Sequence, residues 1–250
     1  MRDATVRVTG VPDLLVAVAA GLAVAVGGLV QSGVGLGLGL VAAPVITLLD
    51  PAVMPGSLLV AGAALPALIL SREVRHADWR GVSWAMAGRL GGTAVGVWVV
   101  ATVSERVLGF VVAGVVLTAI ILTSVSSEIP RNRWTLMTAG LISGGTATST
   151  SIGGPPLALL YQREQGPAVR ATLSLFFMIG SCIALAALAV SGHLPARDVA
   201  TGLLFAACAA VGFTCASRLR QFLDHGWTRT AVLVVSAASA LVLVTHSLLA

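Results

Sequence analysis

Two glycine-rich stretches interrupt long uncharged segments, and they hold the polar groups best suited to bind a ligand. The first runs from Gln31 to Gly39 and the second from Ser143 to Pro156. Their hydroxyl, amide and backbone N–H groups suit a small anion better than a cation, because a cation would need carboxylates. The candidate anion-binding residues are Gln31, Ser32, Gly33, Gly35, Gly37, Gly39, Ser143, Gly144, Gly145, Thr146, Thr148, Ser149, Thr150, Ser151, Gly153 and Gly154.

Both stretches are predicted to break a helix, because each glycine in a helix costs about 1 kcal/mol relative to alanine. A short helix that begins near Leu40, and another that begins near Pro155, would each point N–H groups and a positive dipole end into the protein. Non-helical backbone at membrane depth is tolerated only where protein buries it or where it lines a wet cavity. Close helix packing through small residues is the alternative interpretation.

Three further side chains are candidates. Arg89 lies between two uncharged stretches, where an ionisable residue is a functional candidate or else extends its head group to the interface. Arg170, just after Gly166-Pro167, is a second candidate for balancing the charge of an anion, or an interfacial anchor. His193 ends a predicted span and is a weak candidate for proton coupling, since histidine titrates near neutral pH.

Metal and nucleophile chemistry are not predicted. The carboxylates lie mostly in the polar segments between apolar stretches, and the three cysteines are scattered without a CxxC spacing. HExxH is absent, and no serine lies in a nucleophile motif with a matching histidine. The sequence therefore predicts no catalytic residue, no metal, no cofactor and no enzymatic activity.

The elements that position these residues are transmembrane helices. Hydrophobic residues make up 57% and charged residues 10% of the 250-residue chain, against roughly 25% charged in a soluble domain. Most uncharged stretches approach or exceed the ~20 residues that cross a bilayer. The fold class is thus an all-α polytopic membrane protein embedded in lipid. The net charge of +5 does not indicate nucleic-acid binding, because the arginines lie between the spans, where they act as orientation signals.

An internal repeat organises the segments. Residues 28–48 match 140–160 at Gly28/Gly140, Leu29/Leu141, Gly33/Gly145, Pro44/Pro156 and Leu48/Leu160, and Ala94-Val95-Gly96 matches Ala210-Val211-Gly212. Internal duplication is frequent in secondary transporters. The predicted first repeat, 1–127, has a broken segment at 14–49 and spans at about 52–71, 79–101 and 105–127. A linker at 128–133 leads to the second repeat, 134–250, with a broken segment at 134–162 and spans at about 167–190, 197–217 and 228–249.

Arginine positions bear on the topology. If each broken segment crosses once, eight spans result and the two sides hold eight and six arginines. If each is a re-entrant hairpin, six spans and two inverted repeats result. One side then holds ten arginines and the other holds Arg2, Arg7, Arg106 and Arg197. The positive-inside rule favours the inverted arrangement, with both termini outside and the ten-arginine side in the cytoplasm.

These motifs resemble the sulfite exporter TauE/SafE family, also called the toluene-sulfonate uptake permease family, over nearly the whole chain. The resemblance rests on Gly28 through Gly35 with Pro44, Gly140 through Pro156, Arg170-Ala171-Thr172, Ser191-Gly192-His193 and His76-Ala77-Asp78-Trp79. It departs in the first break, where a usual glycine triplet is spread over Gly35, Gly37 and Gly39, and in the rich Ser/Thr run of the second. The resemblance implies a duplicated four-segment fold that moves sulfite, sulfonates or related anions.

Together these features predict a gradient-coupled, alternating-access transporter of a small sulfur-containing anion in the cytoplasmic membrane. A transporter of carboxylates or other organic anions, an anion channel and a non-transporting scaffold are the alternatives. A homodimer through the Gly88, Gly92 and Gly96 face is also open, although the same face can pack inside one chain.

Overall fold

The computed structural model describes residues 13–124, 129–164 and 166–223, which form helices and short connections. This part contains nine α-helices and no strand. They are α1 (Asp13–Val34), α2 (Leu38–Leu49), α3 (Gly56–Glu73), α4 (Trp79–Thr102), α5 (Glu105–Ser124), α6 (Arg133–Thr150), α7 (Gly154–Tyr161), α8 (Gly166–Val190) and α9 (Ala196–Leu223). Short 3-10 turns precede α3 at Pro51–Val53 and follow it at Val74–His76.

Four of the described helices are long and apolar enough to cross a membrane. They cover Leu14–Val34, Gly56–His76, Gly166–Val190 and Ala196–Ala216. The described part of the chain is therefore all-helical, and the chain is a multi-pass membrane protein. The predicted total of six to eight spans stays a prediction, and the span predicted at 228–249 lies outside the described residues.

The two helix breaks are shorter than the sequence predicts. Helix α1 continues through Gln31 and Ser32 to Val34, which leaves Gly35-Leu36-Gly37 as the break. Helix α6 continues to Thr150, and only residues 151–153 are non-helical. The prediction of long non-helical stretches is wrong because serine and threonine hydroxyls bond back to carbonyls of their own helix: Ser32 to Gly28, Ser149 to Gly145 and Thr150 to Thr146.

After each break the chain turns back beside the helix it has just left. A Cβ added at Gly27 would lie 3.0 Å from Leu38 Cα, so the start of α2 lies against the middle of α1. A Cβ added at Gly153 would lie 2.8 Å from the carbonyl oxygen of Ser143. Both broken segments are therefore hairpins of unequal arms.

Two helix pairs pack almost backbone to backbone, and both join the early part of the chain to the late part. In the α4–α6 pair, side chains at Gly88, Gly92 and Gly140 would overlap carbonyl oxygens of the other helix. In the α1–α9 pair, the same holds for Gly28 and Gly212. The face of Gly88, Gly92 and Gly96 is thus occupied by α6 of the same chain, and it is not available as the homodimer surface considered from the sequence.

Ion pairs join the connections at the two ends of the bundle. Arg197, at the start of α9, contacts Asp50, at the end of α2. At the other end, Arg170 on α8 binds Glu73 on α3 through two hydrogen bonds of 2.9 and 2.8 Å. Arg131, just before α6, contacts Glu164, just after α7, at 2.7 Å.

Candidate anion site at the meeting of two helix breaks

The two breaks meet at one small cavity. A side chain at Gly39 would overlap the carbonyl oxygen of Ser151, and one at Gly154 would lie 3.2 Å from Leu36 Cβ. The cavity between them has a volume of about 40 Å³. Its lining comes from both hairpins and from α3, α4 and α8: Gln31, Leu36, Gly37, Leu38, Gly39, Leu40, Leu58, Leu59, Gly62, Arg89, Ala147, Ser151, Ile152, Gly153, Gly154, Pro155, Phe177 and Ser181.

Arg89 supplies the charge of this cavity. Among the described residues that line it, Arg89 is the only ionised side chain. The residue is 1% exposed, and neither its Nε nor its Nη1 has a hydrogen-bond partner. A buried, uncompensated guanidinium is very unfavourable. Two of its nitrogen atoms are therefore left without a hydrogen-bond acceptor at the wall of the cavity.

The position of the guanidinium is determined by neighbours on two other helices. Its Cζ atom lies 4.5 Å from the centroid of the Phe176 ring on α8, a cation–π geometry. Gly180, one turn further along α8, leaves the space that the guanidinium fills, since a Cβ there would overlap Nε. The backbone of Arg89 lies against Gly144, where a Cβ would lie 2.5 Å from the Arg89 carbonyl oxygen. Phe176 and Gly180 thus hold the side chain beside the cavity.

The first break brings backbone donors to the cavity. Gly35 and Gly37 have φ angles of 93° and 150°, which glycine adopts without strain. Helix α2 then begins with Leu38, whose N–H donates to Gln31 Oε1 at 3.1 Å. Gly39 and Leu40 follow in the first turn of α2, where N–H groups have no intrahelical partner. The first break therefore presents N–H groups and a positive dipole end, as the sequence predicts.

The second break contributes differently. Ser151 has a φ of 62°, and its hydroxyl donates to the Pro55 carbonyl at 3.1 Å. Helix α7 begins Gly154-Pro155-Pro156, and prolines have no N–H to donate. Thr150 Oγ1 accepts a bond of 3.3 Å from the Ile152 N–H. This break therefore offers few backbone donors and mainly forms the opposite wall.

The structure brings together seven of the predicted site residues and places the rest elsewhere. Gln31, Gly37, Gly39, Arg89, Ser151, Gly153 and Gly154 line the cavity. The others lie on the helices that lead to the breaks, at the start of the first break, on α8 or beyond it: Ser32, Gly33, Gly35, Ser143, Gly144, Gly145, Thr146, Thr148, Ser149, Thr150, Arg170 and His193. Thr146 lies instead on a larger, apolar depression between α5, α6 and α7, which has a volume of about 270 Å³.

Arg170 and His193 both have partners away from the cavity. Arg170 binds Glu73, which is itself buried, and donates to the Gly33 carbonyl at 3.4 Å, so it braces the first hairpin against α3. His193 lies in the turn between α8 and α9 with Nδ1 3.2 Å from Ser191 Oγ.

Two polar residues of interest escaped the sequence analysis. Ser181, on α8, lines the cavity one residue after Gly180, and nothing in its apolar sequence context distinguishes it. The other is Asp198, a carboxylate that is 3% exposed within the first turn of α9. Burial of a helix end against distant segments is a tertiary property that a single sequence does not show.

Comparison with known proteins identifies the family. The family model of the sulfite exporter TauE/SafE matches residues 19–243. The chain belongs to this family. TauE/SafE proteins are membrane transporters, which agrees with the apolar helices and with the resemblance found from the motifs. No curated protein and no solved structure matches the chain.

Proposed function

We propose that this TauE/SafE protein is a secondary active transporter of a small sulfur-containing anion, either sulfite or an organosulfonate, in the cytoplasmic membrane. A gradient drives transport, and the central cavity opens to one side of the membrane at a time. The observation that carries the proposal is the Arg89 guanidinium, buried beside a cavity at the meeting of two helix breaks with two atoms unpartnered. Binding sites of this kind, at interrupted helices, are typical of secondary transporters.

Charge and size favour a small monoanion. One guanidinium and the positive end of α2 act on the cavity, and no described lining residue is acidic, so a cation would bind poorly there. One water needs roughly 10–15 Å³ of such volume, and about three waters would therefore fill the 40 Å³ present. A sulfite ion or the head group of a small sulfonate matches that size, whereas a bulky organic acid does not.

The contacts at the ends of the bundle support two inverted repeats with re-entrant hairpins. Each of the pairs Asp50–Arg197, Glu73–Arg170 and Arg131–Glu164 joins segments that lie on the same side of the membrane in that arrangement. If the broken segments crossed once, every one of these pairs would join opposite sides. The glycine contacts are also matched, since α1 packs on α9 as α6 packs on α4.

A reporter at the C-terminus tests this topology. We expect a reporter fused at Ala250 to be active only outside the cytoplasm. We expect a reporter inserted between Pro130 and Arg131 to be active in the cytoplasm. Cytoplasmic activity of the Ala250 fusion would contradict the inverted arrangement without touching the identity of the ligand.

Flux through the purified protein tests the transport proposal. In proteoliposomes, saturable sulfite uptake that increases with an imposed pH gradient is expected, and small sulfonates should compete with it. Non-saturating flux without exchange would indicate the anion channel instead. Competition by acetate alone would indicate the carboxylate transporter. The absence of flux with sulfite, thiosulfate, sulfoacetate and acetate would contradict the proposal that the protein transports these anions.

A further inference from the structure

A second buried ionisable group lies at the end of the bundle that holds Asp50 and Arg197. Asp198 is 3% exposed, and its Oδ1 has no hydrogen-bond partner in the described part of the chain. It does not line the cavity, and the binding of the anion by Arg89 does not use it. A carboxylate left in this state is unfavourable as an anion and much less so as a neutral acid.

The start of α3 packs directly against Asp198. Gly56, the first residue of α3, approaches so closely that a Cβ there would lie 2.6 Å from Asp198 Oδ2 and 2.9 Å from Leu194 Cδ1. Neither Gly56 nor Leu194 carries a charge or a titratable group. The close approach of Gly56 places the carboxyl group directly at the beginning of α3.

The charges near Asp198 act in both directions. Arg197, on the same helix, attracts the carboxylate but is already paired with Asp50, and Asp50 repels it. The positive ends of α3 and α9 favour the ionised form, because Asp198 lies in the first turn of α9 and beside that of α3. His193 lies in the preceding turn and contacts Ser191. Burial opposes these attractions, because it removes the water that would solvate the carboxylate.

A short chain of contacts links this group to the anion cavity. Gly56, against which Asp198 packs, directly follows Pro55. The Pro55 carbonyl accepts the hydroxyl bond of Ser151, which lines the cavity. Asp198 is therefore connected to the second break through one packing contact, one peptide bond and one hydrogen bond.

We propose that Asp198 is the proton-binding site of the transporter, and that it carries one proton for each monoanion. The proton adds to a carboxylate oxygen on one side of the membrane and leaves to water on the other, so the cycle is electroneutral. This inference rests on the proposed function and deepens it. Asp198 thereby replaces His193, which is hydrogen-bonded within its turn, as the coupling residue.

Accumulation and exchange of a non-titrating anion test this inference. Methanesulfonate is suitable because it stays ionised near neutral pH, whereas sulfite itself takes up protons there. With one proton per anion, a pH gradient of one unit should drive about tenfold accumulation by the wild-type protein. Asp198→Asn, which is permanently neutral, should abolish this accumulation but retain exchange of labelled for unlabelled anion at equal pH.

Glu164→Gln provides the matched control, since it removes one carboxylate charge from an exposed ion pair at the other end of the bundle. It should accumulate the anion as the wild type does. Gradient-driven accumulation by Asp198→Asn equal to the wild type would overturn the assignment. Wild-type protein without any flux or exchange would instead overturn the proposed function, so the two failures are distinguishable.

If Asp198→Asn also loses anion exchange, a second measurement, proton uptake on anion binding, tests the assignment. In detergent and weak buffer, methanesulfonate binding should draw about one proton per anion into the wild type and into Asp198→Glu. Wild-type binding without proton uptake, or Asp198→Glu that binds the anion without taking up a proton, would overturn the assignment.

Discussion

The two helix breaks occupy matched places in the chain, but they differ in what they contribute to the cavity. The first turns on two glycines with positive φ angles and starts a helix whose first residues line the cavity. The second turns on Ser151, bonds to Pro55, and starts a helix with two prolines. Matched position therefore does not imply matched chemistry: the first break supplies donors, and the second supplies a braced wall.

Arg89 belongs to neither break, and its loss should have the largest effect. Arg89→Met removes the two unpartnered nitrogens that we propose bind the anion. Charge-assisted hydrogen bonds are worth roughly 1.5–3 kcal/mol each, so we expect anion affinity to fall at least about 100-fold. Thermal stability without ligand should stay equal or rise, because a buried unpaired charge is replaced by an apolar side chain. Anion binding and thermal unfolding in detergent measure both quantities.

The same substitution at Arg75, an exposed arginine in the turn after α3, is the matched control. Arg75→Met should leave the affinity within about twofold of the wild type, as expected for a surface charge. Equal losses in the two variants would show that general charge, and not the position of Arg89, attracts the anion.

Substitutions at the two turning points test the contrast in backbone freedom. Gly37→Ala should destabilise the protein by roughly 1–3 kcal/mol, since its φ is 150° and a Cβ would lie 2.5 Å from Val30 Cγ1. Ser151→Gly should change stability by less than about 1 kcal/mol, because relief of the left-handed conformation offsets the lost hydrogen bond. Thermal unfolding of both variants measures this difference in stability. A Gly37→Ala protein as stable as the wild type would show that the two breaks do not differ in the backbone freedom that they require.

Substitution of a side chain beside the first break should have a larger effect than substitution beside the second, but this difference should be smaller than that between the two turning points. Gln31→Leu removes the acceptor of the Leu38 N–H, and loss of such a cap costs about 1 kcal/mol. We expect anion affinity to fall about fivefold, because the start of α2 is less well held. Ser149→Ala, whose hydroxyl bonds only within α6, should stay within about twofold. A larger loss of anion affinity in Ser149→Ala would show that the Ser/Thr hydroxyl groups of residues 146–150 belong to the binding site after all.

Thr148 should show the smallest effect. Its Oγ1 is buried without a partner, and Thr148 packs against Gly96 on α4, away from the cavity. Thr148→Val therefore should keep the affinity and change stability by no more than about 1 kcal/mol, toward greater stability. Binding isotherms and unfolding curves of this variant give the baseline for the other measurements.

Sequence reasoning located the breaks and Arg89 because their signals are local. Glycine clusters inside uncharged segments indicate broken helices, and a lone arginine between apolar stretches indicates a special environment. The same reasoning assigned the hydroxyls of residues 146–150 to the ligand, although the carbonyls of their own helix satisfy most of them. A hydroxyl group close to a helix break can bond either to a carbonyl of its own helix or to a ligand. The sequence does not show which of these partners is closer.

Other parts of the site depend on contacts between distant residues. Ser181 and Phe177 reach the cavity because α8 packs across α3 and α4, and Asp198 is buried because Gly56 admits it. No spacing rule connects such positions. The resemblance to the family indicated a likeness over nearly the whole chain, but the pairing of α4 with α6 becomes visible only in three dimensions.

That pairing has a consequence for any dissection of the molecule. Helices α4 and α6 lie on opposite sides of Pro130 along the chain, and they interlock through glycines that leave no space for water between their backbones. Cutting the chain at Pro130 would expose complementary apolar surfaces on both fragments. The fragments should therefore be recovered only when they are produced together, as two chains that assemble into one protein.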